Sequence, residues 1–330
     1  MALRVLFRAA AGPGQGFGHL VRCRTLARAL GVRPIVSLRG SDRSATVARR
    51  MRCRLWTGSV GALTAARFDL LVVDDPSPRA ARLWVASARR CGMAVASVHD
   101  AGRGILDSDL SIDGSFARTA SRRRVDLAGP AFAILDAAIA PQRRRRPLRR
   151  ARTILVTLGG GRHVRRRGRA VAAAILKLAP GVRVDIAQGF GPRSSRPAPA
   201  GARWVRTPRG LAGLLATATV AVVAGGVTLY EACALGTPIV VLPVVAAQRT
   251  AAIACARAGA AMHASESNPA RAVAQAAALA VSLLGDPSRR DDLGRRAGAL
   301  VDGRGAARVA ARLRKLARNP QNTWEARHAA

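Results

Sequence analysis

The chain has 330 residues, of which 49% are hydrophobic but only 3% are aromatic. This length suits about two domains and argues against a disulfide miniprotein, while cores of Ala, Val and Leu favour helices on a buried parallel sheet over an all-β fold. The 55 basic against 18 acidic residues give a net charge of +37, which favours anionic partners: nucleic acid, a membrane surface or a phosphorylated small molecule.

The first half of the chain alternates strand patterns with helix patterns. Residues 3–7 predict a buried strand, and apolar positions recurring at helical spacing from His19 predict a helix, with the glycine-rich loop 12–18 between them. Such alternation indicates βα units, a parallel sheet and a ligand site at the carboxyl ends of the strands. Further strands are predicted at 34–38, 68–73, 93–98 and 110–112.

The segment 140–150, rich in proline and arginine, has no periodicity and predicts a linker, after which the α/β pattern restarts. Between Arg209 and Arg249 the only charge is Glu231, but glycines and prolines cut this stretch into pieces too short for a membrane-spanning helix. The elements predicted here are strands at 153–158, 183–187, 220–224 and 239–242, and helices at 164–178, from Thr207-Pro208, and from Thr228 to Gly236.

Two similar α/β halves joined by a linker describe an α/β, GT-B-like fold, in which two Rossmann-like domains face an interdomain cleft that holds the ligand. We expect an N-terminal domain at 1–140, a basic linker at 141–151, a C-terminal nucleotide-sugar domain at 152–316 and a tail at 317–330.

The cysteines are five in number and scattered singly, which indicates neither a zinc site nor a disulfide framework, and no His, Cys and Asp spacing suggests another metal site. A reducing compartment fits this usage. The apolar run at the N-terminus is too short for a signal peptide before Arg8 and Gly12 interrupt it. We therefore expect a cytoplasmic protein.

The loop Gly16-Phe17-Gly18-His19 lies where the first predicted strand is followed by a helix. Its glycines allow close approach of a ligand, the first N–H groups of the helix favour an anion, and an imidazole suits a general base that acts on water or a hydroxyl. The alternative is structural: His19 caps or packs against the loop.

A second loop, Gly225-Gly226-Val227-Thr228, repeats this layout in the other half of the chain. Backbone N–H groups there are suited to a diphosphate, and Glu231, one turn into the helix, is suited to accept hydrogen bonds from ribose hydroxyls. Glu231 could instead serve only to stabilise the helix N-terminus electrostatically.

Five ordered segments form a pattern that is specific as a set, although each is weak alone. They are GFGHLVRCRTLA at 16–27, GPAFAIL at 129–135, LVTLGG at 155–160, AGGVTLYE at 224–231 with Gly236-Thr-Pro238, and LVDGRGA at 300–306. Together they resemble the PseG/SpsG family of UDP-sugar hydrolases over roughly residues 3 to 316. The second half also resembles the nucleotide-sugar domain of MurG-type glycosyltransferases.

The resemblance implies a hydrolase, independent of metal and cofactor, that releases UDP from a UDP-linked diacetamido deoxysugar by attack of water at the anomeric carbon. Its pathway would be the synthesis of pseudaminic acid and related surface polysaccharides. The resemblance makes His19 the base that activates water. Residues expected to bind the substrate or nucleotide are Gly16, Gly18, Arg22, Asp74, Asp100, Gly159, Gly160, Gly225, Gly226, Thr228, Glu231 and Gln248.

Three positions depart from the family pattern: Pro76 replaces an aromatic residue, His99 an aspartate and Ala247 an asparagine. They leave open two alternatives, a GT-B glycosyltransferase that uses a UDP-sugar donor and an inactive nucleotide-sugar-binding homologue. Arginines cluster at 122–124, 143–146 and 165–167, and no aromatic residues are interleaved with them, which disfavours a nucleic-acid partner. Peripheral contact with a membrane through a basic face and the oligomeric state are left open.

Overall fold

The structure is a computed structural model that describes residues 3–12, 15–116, 125–144, 152–159, 163–189, 194, 196–207 and 210–319. It divides into two compact units, one of Met1–Ala137 with Arg304–Ala330 and the other of Ala138–Gly303. Each unit contains one β-sheet in which every strand pair is parallel.

The first unit begins with strands and helices in alternation, as the sequence pattern predicts. Three of its strands are buried at every position, which is expected of strands covered by helices on both faces of a sheet. Its elements up to residue 128 are β1 (Val5–Ala10), α1 (Gly18–Leu30), β2 (Ile35–Arg39), α2 (Asp42–Arg50), β3 (Arg54–Leu55), α3 (Leu63–Ala66), β4 (Leu70–Asp74), α4 (Pro78–Arg90), β5 (Ala94–Val98), β6 (Leu110–Asp113) and β7 (Leu127–Ala128).

The strands of this sheet lie in the order β3-β2-β1-β4-β5-β6-β7. The chain therefore runs outward from β1 to β3, returns to the middle at β4 and runs outward in the other direction. The order reverses between β1 and β4, and a crevice at the carboxyl ends of two such strands is the usual ligand site of an open α/β sheet.

The second unit repeats this plan with six strands in the order β10-β9-β8-β11-β12-β13, so that the reversal lies between β8 and β11. Its core contains apolar side chains from the central strands and from two long helices. Its elements are α5 (Ile139–Arg144), β8 (Thr153–Thr157), α6 (His163–Leu178), β9 (Arg183–Ala187), β10 (Ala202–Val205), α7 (Ala212–Thr217), β11 (Val220–Val223), α8 (Val227–Ala234), β12 (Ile239–Val241), α9 (Arg249–Arg257), β13 (Met262–His263), α10 (Pro269–Gly285) and α11 (Pro287–Leu300).

The last helix, α12 (Gly305–Arg318), belongs to the first unit. Its buried Val309 and Leu313 share a core cluster with Leu20 and Leu26 of α1, and the Arg314 side chain donates a 2.7 Å hydrogen bond to the carbonyl of Ala29. The sequence-based assignment of residues 152–316 to one C-terminal domain therefore differs from the structure. The apolar face of α1 is covered by the end of the chain.

The linker and one of the helices predicted from the sequence have different bounds in the structure. Residues 141–144 of the predicted linker lie in α5, and its remainder lies outside the described residues. The helix expected at Thr207-Pro208 begins at Ala212, and Pro208 itself lies outside the described residues. Gly210 has a φ of 94°, which a right-handed helix cannot contain, so α7 starts after it.

The apolar stretch between Arg209 and Arg249 folds as α7, β11, α8 and β12. Every helix in the described part of the chain is too short or too polar to span a bilayer.

Candidate functional site

The glycine-rich loop of the first unit closes on itself before α1 begins. Gly12 and Gly16 exchange two backbone hydrogen bonds of 3.0 and 2.8 Å, and Gly16 has a φ of 72°, a left-handed conformation that favours glycine. Phe17 occupies the N-cap position, where its side chain has no acceptor for the N–H groups of the first turn. Gly18 is the first residue of α1, so the loop carries His19 to the carboxyl end of β1.

His19 forms a dyad with Asp74. Its Nδ1 atom lies 2.7 Å from Oδ1 of Asp74, the last residue of β4, and the Asp74 side chain is only 2% exposed. Nη2 of Arg22 also lies 2.9 Å from Nδ1, but the carboxylate oxygen is closer and that guanidinium nitrogen already donates to Asp74. Because an ionised carboxylate can only accept hydrogen bonds, we assign the proton to Nδ1 and the lone pair to Nε2. The arrangement holds one tautomer of the imidazole, with Nε2 as the basic atom.

Arg22, one turn further along α1, binds two of the predicted site carboxylates. Its guanidinium donates to Asp74 from Nε at 2.9 Å and Nη2 at 2.7 Å, and to Asp100 from Nη1 at 2.5 Å and Nη2 at 3.0 Å. Such bidentate pairs are among the stronger hydrogen bonds in proteins because both groups are charged and the donors are parallel. Arg22 therefore fixes the carboxylate that orients His19.

These contacts control the ionisation of both carboxyls. Burial alone would raise the pKa of Asp74, but the charge of Arg22 and the hydrogen bonds from Arg22 and His19 outweigh it and hold that pKa below its ordinary value. Asp100 keeps 59% of its side chain exposed, so only a partial loss of solvent opposes its ionisation, and the charge and hydrogen bonds of Arg22 lower the pKa of Asp100 to about 2. Both groups are ionised at neutral pH.

Asp75, which sequence reasoning did not single out as a site residue, anchors the neighbouring strands. Its carboxylate accepts hydrogen bonds from Arg8 of β1 at 3.2 Å and from Arg39 of β2, whose Nη2 lies at 2.6 Å. The Arg8 guanidinium also stacks 5.0 Å from the centre of the Trp84 ring. This buried cluster positions the segment that follows β4, and hence the adjacent Asp74.

His99, one of the three departures from the family pattern, is buried. Its Nε2 lies 2.6 Å from the hydroxyl of Ser97, which lies 2.6 Å from that of Ser108. Burial lowers the pKa of His99 against the opposing attraction of Asp113, so the imidazole is neutral at neutral pH. His99 thus fills a polar interior position behind Asp100.

The second glycine turn, Gly225-Gly226, lies at the carboxyl end of β11 in the second unit. A Cβ at Gly225 would lie 2.6 Å from the carbonyl oxygen of Gln248, so this glycine is required by close packing against Gln248. The Gln248 Oε1 accepts a 2.9 Å hydrogen bond from the N–H of Val244, and its Nε2 lies 3.7 Å from the Cβ position of Gly226. Gln248 is thereby held against the turn.

Gly226 is the N-cap residue of α8, and because glycine has no side chain the helix lacks a side-chain cap. Thr228 is the second residue of the helix, and Glu231 lies beyond the first turn. Thr228 and Glu231 are both half-buried. Gly159 follows β8 with a φ of 117°, and Gly160 lies outside the described residues.

The structure thus collects the predicted site residues into two groups, one in each unit. In the first unit His19, Arg22, Asp74 and Asp100 form one hydrogen-bonded network beside the Gly16 loop. In the second unit Gly225, Gly226 and Gln248 pack together at the start of α8. In the described part of the chain, no group of three or more His, Cys, Asp or Glu side chains is placed to hold a metal ion.

No protein-family model matches the chain, and no curated protein matches it significantly in sequence. Solved structures resemble it over nearly its whole length. The spinosyn forosaminyltransferase SpnP has a TM-score of 0.68 at 17% identity, covering 97% of this chain and 100% of that one. MurG of Acinetobacter baumannii has a TM-score of 0.64 at 15% identity, covering 94% and 99%.

A third similar structure, MnaA of S. aureus with UDP, has a TM-score of 0.58 at 13% identity and covers 93% of this chain and 94% of that one. Identities this low establish the fold alone. The chain has the GT-B-like α/β fold predicted from its sequence, with two Rossmann-like units of parallel sheet, a fold it shares with MurG and SpnP.

Proposed function

We propose that the protein transfers the sugar of a nucleoside-diphosphate sugar to an oxygen nucleophile. The observation that carries this proposal is the His19–Asp74 dyad at the strand-order reversal of the first unit. An imidazole whose Nδ1–H is bound to a buried carboxylate is oriented for general-base catalysis through Nε2.

In the proposed reaction, Nε2 of His19 removes the proton of a hydroxyl group as its oxygen forms a bond to the anomeric carbon. The bond from that carbon to the diphosphate oxygen breaks, and the nucleoside diphosphate leaves with the electron pair. Asp74, held ionised by Arg22, stabilises the imidazolium that forms. The chain's own residues thus supply the base and the charge that supports it.

The leaving diphosphate needs hydrogen-bond donors, and we assign them to the Gly225-Gly226 turn and the first N–H groups of α8. The half-buried carboxylate of Glu231 is assigned to the ribose hydroxyls. Gln248, which packs against Gly225, is assigned to the same site.

The first candidate for the nucleophile is a hydroxyl of an acceptor molecule, which makes the protein a glycosyltransferase. Support comes from the fold shared with SpnP, named as a forosaminyltransferase, and with MurG. The Pro76, His99 and Ala247 departures also weaken the case for the sugar recognition of the hydrolase family.

The second candidate is water, which makes the protein a UDP-sugar hydrolase like the PseG/SpsG family. The ordered motifs around His19 and Glu231 favour it. The same dyad serves either nucleophile, so the distinction depends on the acceptor.

The test is to incubate the purified full-length chain with UDP-sugars and TDP-sugars and to follow nucleotide release with and without a panel of hydroxyl acceptors. Release that requires an acceptor and yields a glycosylated product supports transfer. Equal release without any acceptor supports hydrolysis. If no panel member turns over while UDP binds, the catalytic assignment is wrong and the inactive binding homologue remains.

A further inference from the structure

A cavity of about 480 Å³ opens in the second unit where β12 and β13 end, and neither Gly225 nor Gly226 lines it. One wall is α9 and another is the segment that follows β12. The remaining sides come from α6, from the segment between β13 and α10, and from the start of α10. Its volume is within the range of small-molecule sites.

Most of the charged side chains that line this cavity are arginines. Arg249 and Arg257 are eight residues apart on α9, two turns along the same face, and both are exposed. Arg167 of α6 lines the cavity as well, and Glu266 is the single acidic residue in the lining. No acidic side chain among the described residues lies within ion-pair distance of Arg249 or Arg257.

Two apolar side chains are exposed beside these arginines in the lining of the cavity. Ile253 lies on α9 one turn from each arginine and is 38% exposed, and Val245 of the adjoining segment is 37% exposed. Only four large hydrophobic side chains are exposed in the described part of the chain, and two of them line this cavity. Apolar groups concentrated beside unpaired arginines are a typical sign of a binding surface.

The other polar groups at the cavity do not replace the arginines as anion ligands. The side chain of Asn268 accepts hydrogen bonds from the N–H groups of Ala270 and Arg271, so the first turn of α10 is already capped. Burial and the charge of Arg249 lower the pKa of His263, which keeps that imidazole neutral. Positive charge at the site therefore comes from arginine.

We propose that this cavity binds an amphiphilic anion. A phosphate or carboxylate group is held by Arg249 and Arg257, and an apolar group attached to it lies against Val245 and Ile253. Guanidinium groups bind either anion through paired N–H donors, and the exposed apolar side chains add affinity in proportion to the surface they cover. None of the residues assigned to catalysis or to the nucleotide lines this cavity, although Gln248 adjoins it through its hydrogen bond to Val244. The proposal does not depend on the proposed reaction.

The test uses calorimetric titration of the full-length protein with three probes: n-octyl phosphate below its critical micelle concentration, inorganic phosphate and n-octyl glucoside. We expect saturable binding of octyl phosphate at least tenfold tighter than that of inorganic phosphate, and no binding of the neutral glucoside. Equal affinity for octyl phosphate and inorganic phosphate would show that Val245 and Ile253 do not bind the apolar group. Absence of saturable octyl phosphate binding would overturn all of it.

Exposed substitutions then locate the site without disturbing the core. Arg249→Gln with Arg257→Gln should weaken octyl phosphate binding more than tenfold, whereas Arg312→Gln with Arg318→Gln, which removes the same charge from α12, should leave it unchanged. Glu266→Gln should strengthen binding severalfold because it removes a repulsive charge.

Ile253→Gln should bring the affinity for octyl phosphate close to that for inorganic phosphate and leave inorganic phosphate binding unchanged. Equal weakening by the two arginine pairs would show that the anion is attracted by overall charge rather than by this cavity. Thermal unfolding midpoints confirm that each variant is folded before its binding is compared.

Discussion

The Nδ1 atom of His19 lies 2.7 Å from Oδ1 of Asp74, although 55 positions separate the two residues in sequence. The pair forms because β1 and β4 are adjacent, with Ala9 in register with Asp74. The strand-order reversal therefore places a base at the start of α1 beside a carboxylate at the end of β4.

Replacing His19 by Asn should lower turnover of the nucleotide sugar by roughly 100-fold or more. The Asn amide can still donate a hydrogen bond to Asp74, so the loop is preserved while the basic Nε2 is lost. UDP affinity, measured by calorimetry, should remain nearly unchanged because the nucleotide is assigned to the second unit. Normal turnover in a folded variant would reject His19 as the base.

Asp74→Asn should reduce both stability and turnover. The variant leaves the buried Arg22 with Asp100 as its remaining carboxylate, and we expect a loss of about 3 kcal/mol in the free energy of unfolding, at the low end for a broken buried pair. Turnover, assayed well below the unfolding midpoint, should fall on the order of 100-fold.

The matched control for this charge removal is Asp107→Asn. Asp107 forms an ion pair with Arg89 at 2.9 Å, and its side chain is 47% exposed. Its replacement should change the unfolding free energy by no more than about 0.5 kcal/mol and leave turnover unaltered. If both variants lose turnover to the same extent, the effect of Asp74 is not specific to the dyad.

Acid should destabilise the protein through the carboxyls around Arg22. The pKa of Asp100 is lowered from 3.8 to about 2 on folding, and that of Asp74 is lowered too. At a pH between the unfolded and folded pKa values, the unfolded chain binds more protons than the folded protein. The free energy of unfolding therefore rises with pH in this range, and this stability is lost as pH falls from about 4 to about 2.

Thermal unfolding midpoints measured from pH 5 to pH 2 check this effect. Asp100→Asn should show a shallower decline than the unmodified protein, with a modest difference because the Asp100 side chain is 59% exposed and solvent screens the pair. Identical declines would mean that Asp100 is not bound to Arg22 in solution.

Glu231→Ala should weaken UDP binding by about 1–3 kcal/mol if the carboxylate accepts hydrogen bonds from the ribose. Glu231→Gln, which retains an acceptor oxygen without the charge, should lose less. Calorimetric titration with UDP measures both variants. An affinity that stays the same in Glu231→Ala would contradict the placement of the nucleotide at α8.

Gly225→Ala should destabilise the second unit by about 1–3 kcal/mol, because the added methyl group would meet the Gln248 carbonyl at 2.6 Å. It should also weaken UDP binding by moving Gln248. Gly213 of α7 is the matched control, since its Cβ would meet no atom within 4 Å and alanine there should stabilise the helix by roughly 0.5–1 kcal/mol. Urea unfolding of the two variants should therefore give shifts of opposite sign.

Sequence patterns predicted the elements of this fold better than the contacts between them. Apolar periodicity located β1 and α1 and the glycine turn before α8, because burial imposes a period on the residues. The pairing of His19 with Asp74 required the strand order, which local patterns do not contain. The residues were predicted, but their mutual contact was not.

Charged residues inside strands were the least predictable feature of the site. Arg8 and Arg39 resemble solvated positions in sequence, and their contact with Asp75 depends on three adjacent strands. The family pattern marked His99 as a departure, yet only the structure reveals its hydrogen bond to Ser97. An ion pair between distant residues leaves no periodic signal.

The return of α12 to the first unit has a consequence for biosynthesis. The second unit is one uninterrupted segment, so all of it is synthesised before α12. Most of the first unit is translated earlier, but it lacks the helix that covers Leu20 and Leu26 until residues 305–318 have been made. The part of the chain made first is therefore the part whose core is completed last, and nascent chains that end before Gly305 expose an apolar surface to chaperones.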